Sequence, residues 1–142
     1  MNKSRNPVDV DPSRSALMAR VRQKGSAPEM VVRRISHALG FRHRLHRASL
    51  PGSPDLVFPS RKAVIFVHGC FWHRHDGCPR STTPKTRREY WEAKFRDNVA
   101  RDRRVMMELQ RQGWSAMVIW ECETRDQNLV AKKVDRFLRS CA

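Results

Sequence analysis

The sequence predicts an α/β domain in which helices cover both faces of a central sheet, and three observations predict it. Apolar residues recur at helical spacing in four separate segments. Four short runs of strand-forming residues lie between them. The resulting order, αα-βββ-α-β-α, leaves every apolar stripe in need of a partner, and a sheet flanked on both sides supplies those partners most economically. With 142 residues the chain holds one domain with a real core and falls short of two of typical size. Residues 1–12 read as a flexible basic arm containing Pro7 and Pro12, and residues 13–142 as a single domain.

Ser13 to Gln23 reads as a basic helix with a thin apolar stripe of Leu17, Met18 and Val21. A second helix starts at Ser26, where Ser26-Ala27-Pro28-Glu29 has capping-box spacing, and Met30, Val31, Ile35, Ala38 and Leu39 follow before Gly40 stops it. Phe41, His43 and Leu45 then alternate with Arg42, Arg44 and His46, the pattern of a strand with one wet face. Leu50 to Pro54 is a turn, and Asp55–Phe58 and Lys62–Val67 are two further strands. After a loop rich in Pro, Thr and Arg, a long helix is expected from near Thr86, where Thr86 and Glu89 repeat the capping-box spacing, to about Gln112. Its inner stripe would be Trp91, Phe95, Val99, Met106 and Leu109. Trp114–Trp120 is a fourth, apolar strand, and an amphipathic helix from Gln127 to Arg139 closes the order.

The charge is lopsided. Lys and Arg number 29 against 14 Asp and Glu, a formal net charge of +15, and most of the cations are arginine. Arginine forks match phosphate oxygens bidentately and stack on bases, so this balance points to nucleic acid rather than to a merely solvated surface. No apolar run approaches the length of a membrane span and no signal-peptide core is present. The expected setting is therefore cytoplasmic, with no membrane partner, and metal ligation is a better reading than disulfides for Cys70, Cys78 and Cys122.

Two constellations carry chemistry. Cys70-x4-His75-x2-Cys78, with Cys122 further on, has the soft donors a closed zinc site takes. His73 competes with His75 for the histidine place, and the plain alternative is that Cys70 and Cys122 are small buried hydrophobes. The second is Asp55, one strand before His68. A carboxylate beside polar groups that end the neighbouring strand suits a Mg²⁺-dependent phosphodiesterase, although an Asp after Pro also starts turns and strands. Phe71, Trp72 and Trp91 read either as core or as rings that wedge between base pairs.

At these residues the chain resembles the very-short-patch-repair DNA mismatch endonucleases. The shared motifs are Leu50-Pro51-Gly52-x-Pro54-Asp55, Val64 through His73, Tyr90-Trp91-x-x-Lys94 and Trp120-Glu121-Cys122, in collinear order from about Arg14 to Leu138. The resemblance implies a restriction-endonuclease-like core with a mixed central sheet and a structural zinc. It implies an enzyme that nicks one strand 5′ to the thymine of a T·G mismatch left by deamination of 5-methylcytosine, using Mg²⁺. Asp55 and the backbone carbonyl of Val67, where many members have Thr, would hold the Mg²⁺. His68 and His73 would be the catalytic histidines, His73 as base and His68 as phosphate or water positioner. Asp102 is the candidate that orients His73, and Glu29 matches an active-site acid while its capping position is also a full structural explanation. Phe71, Trp72 and Trp91 would be the wedge, Lys94 and Asn98 would lie near the DNA, and Arg14, Arg20 and Arg22 would close over the duplex from the other side, in a monomer. Two rivals stand beside this reading: a same-fold endonuclease with a restriction or defence target, and a non-catalytic zinc-stapled DNA-binding protein. Asp55 beside His68 and His73 is what a pure binder does not require.

Overall fold

The computed structural model describes residues 26–45, 47 and 49–141. The arm, the helix expected over Ser13–Gln23, and Arg14, Arg20 and Arg22 lie outside the described residues. In chain order the elements are α1 (Ala27–Ala38), β1 (Arg44–Leu45), β2 (Leu56–Phe58), β3 (Ala63–His68), the one-turn α2 (Cys70–His73), α3 (Arg88–Arg111), β4 (Ser115–Trp120) and α4 (Gln127–Ser140). The sheet runs β1-β2-β3-β4. Its first two pairings are antiparallel and β3–β4 is parallel, so the sheet is mixed.

Alternation along the strands sorts the core into two layers, because successive side chains point to opposite faces. Leu56, Phe58, Ala63, Ile65 and Ile119 pack with Val32 of α1 and Val130, Val134 and Leu138 of α4. Val57, Val64 and Phe66 face the other way and pack with Leu109, Val105 and Met106 of α3. Helices therefore cover both faces. No described helix is long and apolar enough to cross a membrane.

Two expectations are corrected. The strand over residues 41–46 shrinks to Arg44–Leu45, both exposed, because Phe41 turns into the core under the Arg61 guanidinium and the chain reaches the sheet only at its edge. The capping box at Thr86 does not form. The chain enters α3 through Arg87 in the left-handed conformation (φ 60°), with no side-chain cap, and its carbonyl accepts the first helical hydrogen bond, from Trp91 N–H. At α1, by contrast, the Ser26 hydroxyl accepts a 3.4 Å hydrogen bond from Glu29 N–H.

Candidate active site and metal centre

The turn Leu50–Pro54 delivers Asp55 to the C-terminal end of β3. Gly52 adopts φ +75°, and a Cβ there would sit 2.6 Å from Val105 Cγ1, so only glycine fits this approach to α3. Asp55 Oδ2 accepts a 2.7 Å hydrogen bond from Val67 N–H. That bond fixes the carboxylate beside the Val67 peptide just where the β2–β3 ladder has ended, at Leu56–Ile65.

Asp55 lines a cleft of about 280 Å³ together with Glu29, Val67, His68, His73, Arg101 and Asp102. Both histidines come from the segment that leaves β3. Their rings stack at 3.8 Å between centroids, tilted by only 7°. His73 Nδ1 lies 2.7 Å from Asp102 Oδ2, the contact expected of an orienting carboxylate. Burial, reinforced by neighbouring His73, pushes the His68 imidazole down to about 3, so it is neutral at working pH. Burial alone would push the Asp102 carboxyl up, but the hydrogen bond and charge of His73 outweigh it and hold the group below its ordinary value. The donor atoms of His68, His73 and Asp102 also fall within 4.8 Å of one another. Stacked rings aim their in-plane lone pairs side by side rather than at one point, and the His73–Asp102 bond occupies two of the donors, which suits a base and its support better than an ion. Glu29 is only 2% exposed, lies 3.8 Å from Arg33 and lines the same cleft, so capping by Ser26 does not take its side chain away from the site.

On the far side of Trp120, the donor atoms of Cys70, His75, Cys78 and Cys122 lie within 4.8 Å of one another. His75 Nδ1 is 3.7 Å from Cys70 Sγ and 3.4 Å from Cys122 Sγ. A tetrahedral Zn²⁺ with ordinary Zn–S and Zn–N bonds has S···N edges of about 3.6 Å, so these residues fit the ion. Burial pushes the Cys70 thiol up to about 12 and the Cys122 thiol in the same direction. Thiols this close become thiolates together only around a cation. His75, not His73, takes the histidine place. Its ring stacks on Trp120 at 4.3 Å, while Trp120 and His68 meet edge-on at 5.4 Å between centroids. Glu121 supports the cluster by accepting Cys70 N–H through Oε1 at 3.3 Å.

The three aromatic residues singled out in the sequence fall into one cluster. Trp72 and Trp91, 6% and 4% exposed, pack with Phe95 in a small core of their own, and Phe71 is the half-buried ring at its margin. Aromatic faces and edges satisfy one another within this cluster. Trp114 and Trp120, at the two ends of the expected fourth strand, are half-buried. Lys94 is exposed on α3. Asn98 does not simply face solvent: its Nδ2 donates to the Trp72 carbonyl at 3.3 Å.

Sequence reasoning missed two arginines. Arg74 donates to the carbonyls of Phe71, Ser81 and Thr82 and to Thr83 Oγ1, and lies 3.8 Å over the Phe95 ring. Arg101 lines the cleft. Their positions, between His73 and His75 and immediately before Asp102, were the available signals.

Comparison with known proteins gives the following similarities. The family model described as DNA mismatch endonuclease Vsr matches residues 8–80. The type II nicking enzyme V.XorIIP of Xanthomonas oryzae is 47% identical over 125 residues, 88% of this chain and 91% of that protein. The DNA mismatch endonuclease Vsr of Escherichia coli is 41% identical over 113 residues, 80% of this chain and 72% of that protein. Among solved structures, the catalytic domain of the homing endonuclease I-Bth0305I superposes with a TM-score of 0.59 at 19% identity, covering 82% of this chain and 98% of that one; it shares the fold.

Proposed function

The chain belongs to the Vsr family of DNA mismatch endonucleases, and from there we propose that it nicks one strand of duplex DNA 5′ to the thymine of a T·G mismatch, by Mg²⁺-dependent phosphodiester hydrolysis. The observation that carries the reading is the His73–Asp102 pair at 2.7 Å, stacked on His68 in the cleft that Asp55 also lines. With Nδ1–H donated to Asp102, His73 presents an unprotonated Nε2 and takes a proton from the attacking water. The water oxygen bonds to phosphorus as one phosphorus–oxygen ester bond breaks, and the departing oxygen takes a proton from solvent. His68, held neutral by burial, positions the phosphate or the water without adding charge.

The Asp55 carboxylate and the Val67 carbonyl are hard oxygen donors of the kind Mg²⁺ takes, and Glu29 adds a third acid to the cleft. The bound ion would supply Lewis-acid stabilisation of the phosphoryl oxygens and a more acidic water. Cys70, His75, Cys78 and Cys122 would hold structural Zn²⁺. A net charge of +15 suits a duplex partner. Lys94 and the N-terminal Arg14, Arg20 and Arg22 would meet its backbone. Phe71, the ring at the margin of the aromatic cluster, leads the wedge, with Trp72 and Trp91 behind it at a weakly stacked mismatch. The enzyme would work as a cytoplasmic monomer.

The test is nicking of duplexes carrying T·G, T·A or C·G in one context, with and without Mg²⁺. Selective nicking of T·G supports the reading, and equal nicking of all three sinks it. A second reading, an endonuclease of this family with a different target, is favoured by the relatives named type II nicking enzymes; context-dependent nicking without preference for the mismatch would select it. Tight binding with no nicking would select a zinc-stapled binder. Asp55→Asn is the cleanest metal-site variant, because its amide oxygen still accepts Val67 N–H where Ala would strand it.

A further inference from the structure

The cleft brings three carboxylates together, Glu29, which Arg33 reaches from behind at 3.8 Å, Asp55 and Asp102, and among its described lining residues the one guanidinium or ammonium is that of Arg101. A phosphodiester entering such a lining is repelled unless cations answer it, and hydrolysis gathers further negative charge on the phosphoryl oxygens. Exposed arginines are abundant on α3, and Arg96, Arg103 and Arg104 read as a solvated face. Arg101 differs from them. It lines the cleft, and its charge reaches both His68 and Asp102. It makes no ion pair among the described residues. Its Nη2 donates only a long 3.4 Å hydrogen bond to Asn98 Oδ1, one turn earlier. Asn98 in turn donates to the carbonyl of Trp72, the residue before His73. One chain of hydrogen bonds thus ties the guanidinium to the short helix that carries the base, while most of its donors stay available to an incoming oxyanion.

We propose that Arg101 grips the phosphate being cleaved and stabilises the charge on its non-bridging oxygens, with Asn98 as the positioning residue that aims it. The planar fork matches two phosphate oxygens, and the guanidinium stays protonated throughout, so the proton inventory of the step is unchanged. The inference rests on the endonuclease reading above.

The experiment compares the wild type with Arg101→Ala, Arg101→Lys, Asn98→Ala and, as a charge control outside the cleft, Arg96→Ala. Each is measured for single-turnover nicking and for Mg²⁺-free binding. The duplexes carry either an ordinary phosphate or a neutral methylphosphonate at the nick site. Arg101→Ala should lower the nicking rate by ~10²-fold and weaken binding to the ordinary duplex, with a salt slope shallower by about 1. On the methylphosphonate duplex it should bind as the wild type does. Arg101→Lys should recover binding more than rate, because an ammonium restores charge without the fork. Asn98→Ala should lose rate by ~10-fold, beyond whatever binding it loses. Any binding deficit of Arg96→Ala should be the same on both duplexes. Nicking by Arg101→Ala at the wild-type rate, or a binding deficit that survives the methylphosphonate, would overturn the assignment. An unchanged rate in Asn98→Ala would remove its positioning role. A wild type that nicks no duplex strikes at the endonuclease reading itself, whereas normal wild-type nicking with an indifferent Arg101→Ala strikes at this inference alone.

Discussion

Asp102→Asn probes the catalytic pair most directly. The carboxylate accepts from His73 Nδ1 at 2.7 Å, and both side chains are only about a fifth exposed (23% and 22%), so water competes weakly for the bond. An amide at 102 can donate to Nδ1 instead. That moves the ring proton to Nε2 and turns the base into a donor. Two contributions are lost together. The charge-assisted hydrogen bond that fixes the tautomer is worth ~1.5–3 kcal/mol. The attraction between the carboxylate and the imidazolium formed in the transition state is worth roughly 2–4 kcal/mol at an effective dielectric near 20. Because the two overlap, the expected loss is ~4–5 kcal/mol, or ~10³–10⁴-fold in single-turnover nicking, the scale at which an orienting carboxylate matters in hydrolytic triads. Mg²⁺-free binding should be unchanged or slightly tighter, since one negative charge leaves the cleft. Asp102 is held below its ordinary value, so wild-type activity should not fall through Asp102 protonation until the pH drops below the usual carboxylate range. A loss smaller than ~10-fold in Asp102→Asn would refute the base-and-orienter reasoning.

Three stability predictions and one of metal content go with it. His68 is depressed from 6.5 to about 3, so on acidification the unfolded chain takes the proton first. The stability this group confers is therefore complete above about pH 6.5 and is lost as pH falls toward about 3, a span on the order of 4–5 kcal/mol. Urea midpoints of the wild type and His68→Gln should converge on acidification, and parallel curves would contradict the burial argument. Gly52→Ala places a Cβ 2.6 Å from Val105 Cγ1 at φ +75° and should cost ~1–3 kcal/mol by chemical denaturation, with Val105→Ala restoring the steric part; an unchanged midpoint would mean the turn does not approach α3. Arg74→Lys should cost ~2–4 kcal/mol and open residues 79–87 to limited proteolysis, because one ammonium cannot reach the Phe71, Ser81 and Thr82 acceptors while lying flat on Phe95. Cys122→Ser should lower bound zinc and melting temperature together, by metal analysis and thermal scan, and retained zinc would remove Cys122 from the ligand set.

What was legible in the sequence was what leaves a local period or a short-range spacing. The helical stripes of α1, α3 and α4, the Ser26 cap and the β3 run are one-dimensional signals, and alternation along β3 already assigns Val64 and Phe66 to one face and Ala63 and Ile65 to the other. The Cys70, His75 and Cys78 grouping is similarly local. Tertiary competition decides the remainder. Phe41 prefers the core to extending its strand, and Arg87 takes the cap that Thr86 was expected to hold. Trp72 and Trp91 are bulky enough to build a satellite core with Phe95, and nothing in their spacing separates that outcome from a wedge. Arg74 and Arg101 were hidden by abundance: in a chain this rich in arginine, no single one stands out until its neighbours in space are known.

The placement of His73 explains why so many distant residues converge on α2. A four-residue helix has no stability of its own, because a single turn does not repay the cost of nucleation. Its conformation has to be imposed from outside, and each of its residues is held by a different element. Cys70 is held by the donor cluster with His75, Cys78 and Cys122, and its N–H by Glu121. Phe71 and Trp72 are held by Trp91 and Phe95, the Trp72 carbonyl by Asn98, and His73 by Asp102, all on α3. Trp120 closes the arrangement, stacked on His75 and in a T-shaped contact with His68. The Cys/His cluster and α3 therefore constrain one turn of backbone from opposite ends. The orientation of His73 relative to Asp55 follows from that double constraint rather than from any preference of the segment itself. A Cys/His cluster next to the cleft therefore removes the freedom that a one-turn helix would otherwise keep.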